Sequence, residues 1–76
     1  MRKIKLIWDF RGVDAQKTAE HHLIHLEEFC TREALDSNCG VESLAELHFI
    51  AYLVVEEQKM IPVRDALRPH RGELAD

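Results

Sequence analysis

Chain-breaking residues are scarce: three glycines and two prolines leave most of the chain free to form regular structure. No glycine-rich phosphate loop occurs, which excludes nucleotide binding of that kind. Only two cysteines are present, and Cys30 and Cys39 lack the CxxC spacing of a zinc or redox motif. They are also too few for a disulfide scaffold, so a reducing, cytoplasmic setting is expected. Basic charge is short as well. Ten Lys and Arg against fourteen Asp and Glu give a net charge of −4, the wrong sign for a surface that neutralises nucleic-acid phosphates. Long apolar runs are absent; the N-terminal one is cut by Lys5 and Asp9, so neither a membrane span nor a signal peptide is expected. Ser37 and Ser43 stand near no nucleophile-elbow motif.

What remains is a folded composition, 46% hydrophobic and 32% charged, over 76 residues, which fits one small domain spanning 1–76. Domains of this size bury a modest share of their surface, and a partner often helps. Residues 3–10, KIKLIWDF, alternate with a period of two: Ile4, Leu6, Trp8 and Phe10 share one face of a strand. Gly12 breaks the run, Asp14 suits a helix N-cap, and a helix is expected from Ala15 to Leu35. Its apolar stripe runs through Ala15, Ala19, His22, Leu26, Phe29 and Cys30. Residues 36–43, DSNCGVES, read as a loop.

The next segment, 44–57, pulls two ways. Ser43 and Glu46 fit a capping box, yet the residues are rich in Phe, Ile, Tyr and Val and apolar all round a helical wheel. Read as a strand, Leu47, Phe49, Ala51, Leu53 and Val55 form one face, and His48, Ile50, Tyr52 and Val54 the other. The strand is the better reading. Residues 59–70 read as a short helix limited by Pro69. The expected fold is therefore α+β, in the order βαβα. Two strands make a marginal sheet, and the face carrying Ile7, Ile50, Tyr52 and Val54 has no cover in this reading. A homodimer follows, in which a second chain completes or covers the sheet.

The phrases WDFRG, TAEHHLIHL and VRDALRPHRGE, with a long helix after an alternating strand, resemble small uncharacterised bacterial proteins of the dimeric ferredoxin-like α+β type. That resemblance implies a half-sandwich completed by a partner chain and a pocket between helix and sheet. It selects no function, because the fold hosts many.

Several groups carry candidate chemistry. His21 and His25 lie one helical turn apart and can present two imidazoles to a divalent metal such as zinc or nickel, with a further ligand from elsewhere. The spacing is not HExxH, so no metalloprotease base lies between them. His22, in the apolar stripe, is a core histidine or a near-neutral acid–base group. With Trp8, Asp9 and Arg11 at the strand end it makes the candidate catalytic set. Asp9–Arg11 and Asp65–Arg68 are also readable as ordinary surface ion pairs. His48 and Tyr52 share the other strand face as ligand-binding candidates, joined by Trp8 and Arg64. RDALRPHR offers Arg64, Arg68, His70 and Arg71 to grip a carboxylate or phosphate. Cys30 faces the core and is expected to be inert, while Cys39 is exposed to oxidation. The leading function is a non-enzymatic binding or interaction module, with a small-molecule ligand among its partners. Metal binding and a small enzyme are the alternatives.

Overall fold

The structure, a computed structural model, describes residues 2–36 and 38–75. Its elements are β1 (Lys3–Arg11), α1 (Ala15–Arg32), β2 (Cys39–Ala45), β3 (His48–Glu56), a 3-10 turn (Glu57–Lys59), α2 (Met60–Leu67) and β4 (Arg71–Leu74). The sheet order is β2-β3-β1-β4, and each neighbouring pair is antiparallel. The α+β class holds, but the βαβα order with two strands does not: the described residues alone supply four strands. The expected 36–43 loop gives way to β2 at Cys39, and Ser37 lies outside the described residues. The expected 44–57 strand is divided, since Glu46 and Leu47 form the tight turn joining β2 to β3. Ser43 does not cap a helix. Its Oγ donates to the Ala45 carbonyl at 3.2 Å, beside a bulge between Ser43 and Ala45.

The period-two reading of β1 places Leu6 opposite Leu53 and Trp8 opposite Ala51, all four buried under α1. From α1, Leu26, Phe29 and Cys30 close the same cluster. Asp14 occupies the N-cap position, but its side chain makes no capping bond; its carbonyl instead accepts the Thr18 N–H at 3.0 Å. Gly12, at φ 115°, makes the turn before it, a left-handed conformation that only glycine adopts freely. The helix stops at Arg32, three residues short of expectation. Ala34 goes left-handed at φ 55°, and the Leu35 N–H returns to the Cys30 carbonyl at 2.9 Å, tucking Leu35 onto the core. No helix among the described residues is long and apolar enough to cross a membrane.

The opposite sheet face differs most from expectation. Ile7 and Ile50, thought to need a second chain, are 1% and 2% exposed within this one. Polar side chains roof them over. Lys5 bonds Glu42 at 2.9 Å and sits 4.6 Å from the Tyr52 ring centroid, while Tyr52 lies flat across Gly40. A Cβ at residue 40 would stand 2.7 Å from the Tyr52 hydroxyl, so glycine is what lets the ring lie there. The sheet edges are blunted too: β2 carries a bulge, and β4 has four residues, two of them charged, just after Pro69.

α2 contributes little to the core. It has eight residues, of which only Val63 is buried. Pro62 is its third residue, where the missing N–H costs no helical bond. Arg68 ends it at φ 50°, and Pro69 bars continuation.

Candidate functional site

The end of β1 gathers the densest set of ionisable groups. Asp9 points to the roofed face, and its side chain is only 12% exposed. A carboxylate can only accept, so His48 donates from Nε2 to Oδ1 at 2.8 Å. Arg71 clamps both oxygens, Nε to Oδ2 at 3.0 Å and Nη2 to Oδ1 at 3.2 Å. The Arg71 guanidinium, with help from His48, holds the Asp9 carboxyl down at about 2 from the ordinary 3.8, against burial that pushes it up. The Asp9 backbone N–H donates to His70 Nδ1 at 2.8 Å, and the His70 N–H returns to the Ile7 carbonyl at 2.9 Å. An accepting Nδ1 fixes the neutral ring's proton on Nε2. One short acidic residue thus ties β3, β1 and the start of β4 together.

This corrects two expected ion pairs. Arg11 is exposed and forms no ion pair among the described residues, since Asp9 is taken by Arg71 and His48. Asp65 pairs with its neighbour Arg64 at 3.3 Å, and Arg68 leaves the helix in a left-handed conformation.

On the helix side of the same strand end, His22 packs 4.8 Å from the Trp8 ring centroid and 5.7 Å from Phe10. Neither Trp8 nor Asp9 serves it as a hydrogen-bond partner. The Trp8 indole N–H donates to the Leu67 carbonyl at 3.2 Å, and Asp9 lies across the sheet. His22 Nε2 is buried with no hydrogen-bond partner among the described residues. Burial first, then the nearby His25, His70 and His21, push its pKa below the ordinary 6.5. The folded state therefore keeps His22 neutral while the unfolded chain binds a proton below pH 6.5, so stability falls as pH drops from there toward the folded pKa. Replacing His22 with leucine removes both liabilities. The variant is expected to gain about 1 kcal/mol and to lose its stability change between neutral and mildly acidic pH. Urea titrations at both pH values check this, and a less stable variant would show that His22 has a bonded role.

The helix histidines do meet: the Nε2 atoms of His21 and His25 lie 3.2 Å apart, with His25 Nδ1 3.5 Å from Glu28. They remain an exposed pair, and among the described residues no group of three or more His, Cys, Asp or Glu is placed to hold a metal ion. Zinc or nickel would find two nitrogens there and no third ligand from the described residues.

Beside the Asp9 cluster lies a groove of about 490 Å³ between α2 and β4. It exists because α2 is too short to cover β4, all of whose residues are exposed. Ile4, Met60 and Leu74 give it apolar walls, and Arg64, His70 and Arg71 line it with donors. Arg71 is spent on Asp9, with Glu73 a further 3.7 Å contact. Arg64 is available: its partner Asp65 is sequence-adjacent and 65% exposed, a pair worth little in water.

The residues singled out in the sequence do not form one site. Arg64, His70 and Arg71 meet at the groove, Trp8 lies behind it under the end of α2, and Asp9 joins His48 on the roofed face. Tyr52 belongs to the roof over Ile50 and Arg68 to the helix end. The apolar walls went unrecognised, because Ile4, Met60 and Leu74 come from three separate elements. Comparison with protein-family models, with curated proteins and with solved structures finds no match.

Proposed function

We propose that this chain is a non-enzymatic binding module of the ferredoxin-like type whose ligand is a small amphipathic anion. The element order β1-α1-β2-β3-α2-β4 comprises two interleaved βαβ units: β3 lies between β1 and β2, and β1 between β3 and β4. That interleaving supports the ferredoxin-like reading. One observation carries the ligand class. A single groove combines the apolar side chains of Ile4, Met60 and Leu74 with the weakly paired Arg64 and the fixed Nε2–H of His70. An apolar body fits the walls, and a carboxylate or phosphate head accepts from the two donors. The seat is complete within one chain, so the homodimer expected from a two-stranded sheet is not required for it.

Isothermal titration with decanoate tests the reading. Saturable binding is expected, weakened about tenfold in Arg64→Ala through loss of one charge-assisted bond. Absence of binding to a folded protein, or equal affinity in the Arg64 variant, would overturn it.

A further inference from the structure

We propose that Cys30 and Cys39 form a dithiol that closes to an intrachain disulfide, locking the end of α1 onto the start of β2. Cys30 sits in the last turn of α1 and is fully buried. Cys39 opens β2 opposite Leu53, on the sheet side that faces α1, and packs against the same core cluster as Cys30. Both thiols are free, and α1 packs directly on β2, so the two cysteines meet the same part of the core. The sequence offers no motif for this. The pairing arises because α1 and β2 converge across one short connection.

The two cysteines differ in access, which sets the order of events. Cys39 is half-buried and meets a reagent first; Cys30 has no exposed surface. A low-molecular-weight disulfide such as oxidised glutathione supplies the oxidant. The Cys39 thiolate attacks one of its sulfurs, a mixed disulfide forms, and one glutathione thiolate leaves. The Cys30 thiolate then attacks the Cys39 sulfur, the internal bond forms, and the second glutathione leaves. Two electrons pass to the glutathione pair, and both cysteine protons are released. Burial raises both thiols above their usual range, so the exchange is slow at neutral pH and accelerates as pH rises.

The test treats the intact protein with oxidised glutathione at alkaline pH and maps it by non-reducing tryptic digestion. Arg32 lies between the two cysteines, so the bridge joins two otherwise separate peptides. The expected product is that joined pair, cleaved by reductant, in a monomer with a melting temperature about 10 °C higher. In Cys30→Ala, the mixed disulfide on Cys39 is expected to persist. Two outcomes overturn the proposal: stable glutathione on Cys39 of the wild-type chain, or a Cys39 bridge between two chains.

Discussion

Asp9→Ala is expected to lower the free energy of unfolding by about 3 kcal/mol at neutral pH, in the range for losing a carboxylate that accepts several charge-assisted hydrogen bonds. The substitution removes the acceptor of three charge-assisted bonds and leaves the His48 Nε2–H, on a side chain 19% exposed, without its acceptor. Arg71 is 45% exposed and regains water, which keeps the loss from being larger. The same residue sets an acid limit. Its carboxyl is depressed in the folded state, so its contribution is complete above the unfolded pKa of 3.8 and is lost as pH falls through about 2. Across that window the wild type loses about 2 kcal/mol from this group, and the alanine variant loses none of it. Urea denaturation at a series of pH values reads both effects. A variant with wild-type stability and the same acid slope would show that the clamp on Asp9 is idle. The His70 bond comes from the backbone N–H of residue 9 and survives the substitution, so decanoate binding is expected to persist.

Leu26→Ala is expected to cost about 3 kcal/mol, whereas Val63→Ala costs about 1 kcal/mol. Leu26 is wholly buried where α1 crosses the sheet, in contact with the cluster of Leu6, Trp8 and Leu53. Val63 is the only buried residue of α2, a helix that leaves β4 exposed beside it. A chain of this length has a total stability of roughly 4–11 kcal/mol, so the first change takes a large part of it. Trp8, the single tryptophan, reports both transitions by fluorescence. Equal costs would mean that α2 is packed as firmly as α1, and the groove would lose its physical origin.

The parts of the fold that were legible in the sequence are those that bury apolar faces. β1 and α1 announce themselves through Leu6, Trp8, Ala19 and Leu26, whose spacings match one strand face and one helix stripe. β3 is readable for the same reason once its start is moved to His48. β2 and β4 are not, since β2 sends little beyond Cys39 and Val41 toward the core and β4 buries nothing. Without those strands the sheet is incomplete, and a second chain is the expected way to finish it. The cover over Ile7 and Ile50 was equally hidden, because Glu42 falls in the expected loop and Tyr52 counts among the residues that need cover rather than those that give it.

The site was legible residue by residue and illegible as geometry. Asp9 was singled out at a strand end, and RDALRPHR as a donor-rich segment, yet 62 positions separate Asp9 from Arg71. Only the pairing of β4 with β1 joins them, and no local spacing encodes it. His22 is the reverse case: its place in the apolar stripe was plain, while its missing hydrogen-bond partner depends on the Trp8 indole turning to Leu67 instead.

Backbone and indole amide shifts of isotopically labelled protein, followed by NMR during titration with decanoate, test the central claim most directly. The predicted result is saturable shifts confined to Ile4, Met60, Arg64 and His70–Leu74, together with the Trp8 indole proton bonded at the end of α2. Shifts centred on Tyr52 and the roofed face, or none at any concentration in a folded protein, would contradict it.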